Sequence, residues 1–191
     1  IFFFLFFGIA QAYTEVPGGT IDDTTWGPGT IYVTGNLIVN SGATLTIQPG
    51  AVVKFAPTIG LTVYGTLSAD GATTDDIVFT SRDDNTYGDA VPGSDGSPAA
   101  GDWLGIYLYG IGTGWQGIGN FDYCRFRHGG NTSYSYGNLR FSQSDSGYFN
   151  NAISEFSESS GMHIDSSVTV DGSTFQNNGG DGILATSGSP T

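Results

Sequence analysis

The amino-acid sequence predicts an all-β chain wound as a right-handed parallel β-helix, a three-sided solenoid of about seven to eight coils. Three observations carry that expectation. First, short apolar bursts recur too often for ordinary hairpins. In GNLIVNSGATLTIQPGAVVKF, Gly35 to Phe55, the bursts Leu37-Ile38-Val39, Leu45-Thr46-Ile47 and Val52-Val53 are separated only by the turn material Asn40-Ser41-Gly42 and Gln48-Pro49-Gly50. Second, glycine supplies 31 of 191 residues with no collagen triplet, which marks a chain with very many turns. Third, GNLRF at Gly137, GMHI at Gly161 and DGILA at Asp181 repeat at a spacing of roughly 20–24 residues, each repeat holding three bursts. One such repeat is one coil, each burst is one side of it, and successive coils stack through parallel pairing. An antiparallel sandwich is the competing fold. It would want longer strands joined by two-residue turns such as Asn-Gly.

The elements follow in order. Ile1 to Ile9, IFFFLFFGI, is an apolar run followed by Ala10-Gln11-Ala12, the pattern of a signal-peptide core with its cleavage site. It has no Met and no basic start, so residues 1–12 read as a leader with a truncated beginning. A retained anchor helix, as in a pilin-like subunit, is the rival. The run is too short to span a bilayer, so no membrane span is expected. Residues 13–191 form the β-helix domain. Its bursts are Ile31-Val33, Leu37-Val39, Leu45-Ile47, Val52-Phe55, Leu61-Val63, Leu67-Ala69 and Ile77-Thr80, then Leu104-Leu108, Phe121-Phe126, Leu139-Phe141, Ile153-Phe156, Met162-Ile164, Val168-Val170, Ser173-Phe175 and Ile183-Ala185. Pro49 lacks an N–H and belongs at a corner, where Gly50 takes positive φ; Gly65 and Gly71 read the same way. Ser81 to Asp102 contains no apolar burst and reads as a loop projecting from the coil. GIGTGWQGIGNF lacks the helix and lysine of a phosphate cradle and reads as coil corners with Trp115 exposed. The chain stops after Ile183-Ala185 with TSGSPT and no cap, so further coils or modules are expected beyond it.

Period-two alternation assigns faces. In FDYCRFR, Cys124 and Phe126 point inward and Arg125 and Arg127 outward. The motifs CRF, SEF and STF align Phe126, Phe156 and Phe175 as one inward stack beside Cys124, Ser154 and Ser173. Cys124, the sole cysteine, makes no internal disulfide and reads as a small core residue. In GMHID, Met162 and Ile164 face inward, which leaves His163 outward. Trp103 in GDWLGI reads as a core or coil-capping aromatic, with a sugar-stacking platform as the alternative.

Charge narrows the partners. Eighteen acidic against five basic groups give a net charge of −13, which disfavours nucleic acid and anionic membranes alike. The balance suits a secreted or cell-surface protein.

GNLIVNSGATLTIQPGAVVKF, LTVYGTLSADG, DDIVFTS and GDWLGI together resemble the opening coils of secreted bacterial right-handed parallel β-helix repeat proteins, within the broad pectate-lyase-like superfold. The resemblance spans roughly Thr30 to Ile106, with weaker repeats on to Ala185. It implies a secreted or surface location. It leaves two functions open, since passive members act as adhesins or stalks and others cleave polysaccharides.

The residues divide these two. The Asn-Thr-Asp, Gly-His-Gly and Arg-x-Lys motifs of polygalacturonase-like enzymes do not occur here. Arg125, Arg127 and Arg140 lie outward, and alternation aligns them near Glu155; His128 and His163 are single. Asp83, Asp84, Asp89, Asp95 and Asp102 place oxygen ligands on the 81–102 loop, which makes calcium the one cofactor to consider. DDNTYGD shares Asp83, Asn85 and Gly88 with a calcium-binding loop but lacks its closing Glu, and NNGGDGI at Asn177–Ile183 is a single glycine-rich repeat. No catalytic, cofactor-binding or metal-binding residue is assigned on this basis. The expectation is a structural or adhesive β-helix meeting an extracellular polysaccharide or surface partner, with Tyr107, Tyr109 and Trp115 as contact aromatics. A β-helix lyase or glycoside hydrolase with its site partly outside this stretch is the alternative.

Overall fold

A computed structural model describes residues 13–110, 116–134, 137–143 and 146–186. The leader expected over 1–12, Trp115 and most of the closing TSGSPT lie outside these residues. The first coil comprises β1 (Tyr13–Val16), β2 (Gly19–Ile21) and β3 (Thr24–Trp26); the second β4 (Gly29–Val33), β5 (Leu37–Val39) and β6 (Thr44–Ile47). The third comprises β7 (Ala51–Phe55), β8 (Gly60–Val63) and β9 (Thr66–Asp70); the fourth β10 (Ile77–Ser81), β11 (Gly105–Tyr109) and β12 (Ile118–Asp122). The fifth is β13 (Cys124–Arg127), β14 (Leu139–Ser142) and β15 (Gly147–Asn150), and the sixth β16 (Ile153–Glu155), β17 (Met162–Ile164) and β18 (Thr169–Asp171). Strands β19 (Thr174–Gln176) and β20 (Ile183–Ala185) belong to the seventh.

Each strand pairs in parallel with the one a coil later. This gives a first sheet β1-β4-β7-β10-β13-β16-β19, a second sheet β2-β5-β8-β11-β14-β17-β20 and a third sheet β3-β6-β9-β12-β15-β18. The architecture is the expected three-sided right-handed parallel β-helix, at the lower of the expected coil counts. Inward columns of like residues fill one core. Leu37, Leu61, Ile106, Leu139 and Met162 are register neighbours on the second sheet, and all are buried. The aromatic part of the core sits between the first and third sheets. There Phe79 stacks on Phe126 at 4.9 Å and Phe121 meets both edge-on.

Corners follow two physical rules. Gly50 takes φ 77° after Pro49, as the turn requires. Gly65 and Gly71 do not have positive φ; a Cβ there would lie 2.2 Å from Ala43 O and 2.4 Å from Tyr123 O, so close backbone approach excludes a side chain. Elsewhere single residues in left-handed conformation turn the chain. Tyr123 does so at φ 46° and splits the expected burst Phe121–Phe126 into β12 and β13 on different sides of the coil. His128, Phe156 and Asn177 repeat such a corner after β13, β16 and β19, at φ 62°, 54° and 54°.

That corner corrects the expected phenylalanine stack. Phe126 aligns with Ser154 and Phe175, while Phe156 lies beyond β16, half-buried, with its ring on His128 at 5.3 Å. Ser154 occupies the inward place because the core is polar there. Buried Asn138 reaches it through Nδ2 at 3.0 Å, and the Ser154 hydroxyl donates to Gly161 O at 2.7 Å. Cys124 is buried, as expected. Trp103 is fully buried, stacked on Phe55 at 4.3 Å, and donates to Arg127 O at 2.8 Å, so the core reading holds and the sugar platform does not.

The 81–102 segment is a correction in part. Ser81 ends β10, and no strand forms in the remainder. The loop does not stand away from the coil, however. It lies back across the first sheet and buries Asp83, Asp84 and Val91.

Candidate functional site

Register lines up one outward column on the first sheet: Tyr32, Lys54 and Thr80, then Arg127, Glu155 and Gln176. Four of the five basic residues, Lys54, Arg82, Arg125 and Arg127, lie on or beside this face. The loop covers the column and supplies its counter-charges. Asp84 accepts from Thr80 Oγ1 at 2.8 Å and from Arg127 Nη1 at 2.7 Å. Lys54, the sole lysine, has no exposed surface and donates through Nζ to Asp89 O at 2.7 Å. Further along, Arg125 Nη1 donates to Glu155 Oε1 at 3.0 Å, and its Nη2 lies 3.8 Å from Asp76 Oδ2. Arg127 Nε is 2.8 Å from the same Glu155 oxygen, a close ion contact without hydrogen-bond alignment. Gln176 donates to the other Glu155 oxygen at 2.7 Å, and the Tyr87 ring lies 5.1 Å from the Arg127 guanidinium and 5.8 Å from that of Arg125.

The outward alternation of CRFR therefore does bring Arg125 and Arg127 to Glu155. It does not bring Arg140 or His163, which lie on the second sheet. Arg140 is 3.3 Å from Asp165, and His163 is buried rather than solvated, with Nε2 3.1 Å from Thr186 Oγ1. Sequence reasoning missed Asp76, Tyr87, Gln176 and Lys54, and it weighed Asp84 only as a calcium ligand of the loop, not as a partner of Arg127. The signal for Lys54 was available: a lone lysine at an outward strand position needs a partner from somewhere. Its partner comes from the loop, at a separation that no periodicity predicts.

Protonation states say what this cluster can do. Burial works to raise the Asp84 and Glu155 carboxyls, yet both are held below their ordinary values. Thr80, Thr86 and Arg127 outweigh burial at Asp84, and Gln176, Arg125 and Arg127 do so at Glu155. Burial lowers Lys54, with Asp84, Asp89 and Asp83 opposing. Carboxylates clamped in the charged form are poor proton donors near neutral pH, so the cluster acts as a set of counter-ions. The loop carboxylates considered for calcium are spent separately. Asp83 contacts Arg82 at 3.2 Å, Asp89 accepts from Thr30 Oγ1 at 3.2 Å, Asp95 from Ser97 N at 2.8 Å and Asp102 from Ser81 Oγ at 2.6 Å. Among the described residues they form no converging group of metal ligands.

The second sheet presents a different outer face. Its central column runs Thr20, Ile38, Thr62, Tyr107, Arg140 and His163. Half-buried Tyr64, Tyr107 and Tyr109 gather beside it, with ring centroids 6.0 Å apart for Tyr64–Tyr109 and 5.3 Å for Tyr107–Tyr109. The Arg140 guanidinium lies 5.4 Å from the Tyr107 ring. Next to the tyrosines a shallow groove of about 300 Å³ crosses three coils, lined by Asn36, Ile38, Gly60, Thr62, Leu104 and Tyr107. Among the described residues, no acidic or basic side chain lines it. Aliphatic floor, aromatic wall and hydroxyl or amide edges are the chemistry that receives the apolar face and the hydroxyls of a sugar ring.

No family model matches the chain, and no solved structure matches it. It is similar to Protein bark beetle of Drosophila melanogaster, with 37% identity over 78 residues. The matched part is 40% of this chain and 2% of the fly protein, so the chain spans a small fraction of that relative's length.

Proposed function

We propose that this chain is part of a secreted or cell-surface β-helix with a structural or adhesive role, and that the outer face of its second sheet meets an extracellular glycan or the surface of a partner. The observation that carries the reading is the Tyr64–Tyr107–Tyr109 cluster beside an uncharged groove. Rigid aromatics next to a pre-formed groove are the usual anchors of a binding surface. The ion cluster on the first sheet supports a passive role, because its carboxylates are already neutralised by guanidinium groups. The match to a small part of a far longer fly protein fits a repeat module within a long polypeptide.

The test uses residues 13–191 on pectin, alginate and a neutral galactomannan, with and without calcium. The expected result is retardation in at least one polysaccharide-containing native gel without release of unsaturated or reducing ends. Turnover that disappears in Arg125→Ala or Arg127→Ala would instead support the polysaccharide-cleaving alternative and move the site to the first sheet.

A further inference from the structure

We infer that His128 is an acid-sensitive latch for the 82–104 loop, and that protonation of its ring lifts this loop off the first sheet and opens the charged column beneath. The inference is independent of the function proposed for the second sheet.

The loop is held down mainly by polar contacts. Val91 is its one buried aliphatic side chain, while Trp103 at its far end belongs to the core. Its first anchor is Asp84, bonded to Thr80 and Arg127. Its middle is fixed by Asp89, whose N–H donates to Thr30 Oγ1 at 2.8 Å and whose carbonyl takes the Lys54 ammonium. Its last anchor is Asp102, whose N–H donates to His128 O at 3.0 Å and whose carboxylate accepts from Ser81 and Ala99 N. A cover with little apolar contact lies at the low end of local stability, so one altered polar contact decides whether it stays closed.

His128 touches both ends of this cover. Its carbonyl holds Asp102, and its ring points toward Asp84, with Nε2 3.8 Å from Asp84 Oδ2. The residue is 7% exposed, and neither ring nitrogen has a hydrogen-bond partner among the described residues. The neutral ring tolerates that site because its flat face stacks on Phe156 at 5.3 Å with 9° between planes. A protonated ring does not. The charged groups facing it are Arg127 (the residue before it, at the end of β13), Asp84 and Asp102 on the loop and Glu155 on the next coil. Arg127 repels the new charge. The Asp84 oxygen nearest the ring already accepts from Thr80 and Arg127, Glu155 is taken by Arg125, Arg127 and Gln176, and Asp102 by Ser81 and Ala99. Protonation therefore turns the ring's acceptor nitrogen into a second N–H donor, and leaves a charged ring, in a buried place whose acceptors are occupied, and outward movement of the loop admits the water that satisfies it.

The direction in pH follows. Burial first, then Arg127, lowers the His128 pKa below its ordinary 6.5, against the opposing pull of Asp84, Asp102 and Glu155. The closed loop is thus fully favoured above that value and loses ground as pH falls through the lowered one. Asp84 and Glu155, held below the ordinary carboxylate range, stay ionised throughout that interval, so the histidine alone changes charge.

Hydrogen–deuterium exchange of the full chain at pH 7.5 and 5.5, corrected for intrinsic rates, reads the latch. Peptides within residues 83–102 should lose up to roughly tenfold in protection at the lower pH, because pH 5.5 lies about one unit below the ordinary imidazole value. The strands of the first sheet should keep theirs. His128→Asn retains a residue suited to φ 62° and removes the titration, and its loop should stay protected at both pH values. In the wild type, the midpoint of loop opening should coincide with the His128 ring titration followed by NMR. Equal loop protection at both pH values, loosening that persists in His128→Asn, separate midpoints, or loss of protection across the whole sheet would each overturn the inference.

Discussion

Phe126 and Phe156 are the same residue type in opposite circumstances. Phe126 has no exposed surface, stacks on Phe79 at 4.9 Å and lies tilted against Phe149 at 5.5 Å. Phe126→Ala removes a ring from a packed interior and should cost about 3–5 kcal/mol in urea unfolding. Phe156 turns a corner with its ring on His128 and 5.3 Å from the Arg127 guanidinium, so Phe156→Ala should cost only about 0.5–1.5 kcal/mol, the worth of an aromatic contact. Equal losses would contradict the register. Alternation places Phe126 inward because that pattern depends only on strand pleat. It misplaces Phe156 because the corner is a backbone event at φ 54°, to which the motif SEF gives no clue. The same limit hides the first coil. Its strands are rich in threonine, and Val16, Ile21 and Trp26 betray them by their alignment with Val33, Val39 and Ile47.

At the scale of the element, the loop and the first sheet make one electrostatic unit. Asp84→Ala leaves Arg127 without its loop partner in a mostly buried place and should cost about 3–5 kcal/mol. Lys54→Met keeps volume and removes a buried charge, and should stay within about 1 kcal/mol of wild type. The carboxylates add their own pH dependence. Their folded values lie below the unfolded ones, so their contribution is complete above the ordinary carboxylate range and is lost as pH falls through the lowered values. The melting temperature should therefore drop steeply below about pH 4, and less steeply in Asp84→Asn. This fall is separate from the histidine-driven opening expected at higher pH. The Arg125–Arg127–Glu155 half of the unit is legible from alternation. The Lys54–Asp84–Asp89 half is not, because it depends on a loop returning across the sheet, and composition alone makes that loop read as solvated.

At the scale of the whole molecule, the parallel stacking of coils turns a local repeat into long flat faces, each a separate surface. The first sheet is covered and self-neutralised. The second carries the tyrosines and the uncharged groove. The third displays hydroxyl and amide positions such as Thr25, Thr46, Ser68 and Asn120 in one register line. Segregation of this kind lets a rigid solenoid bind along one side while the others hold it together. On the function proposed above, the second sheet is the contact face and the ion cluster is structural. The most direct measurement is equilibrium binding to an array of neutral and acidic extracellular oligosaccharides, with wild type, Tyr107→Ala and Arg125→Ala compared on the same spots. Binding should fall about tenfold or more in Tyr107→Ala, a loss of about 1.4 kcal/mol, and hold in Arg125→Ala. Binding that survives Tyr107→Ala and vanishes in Arg125→Ala would instead place the contact face on the first sheet.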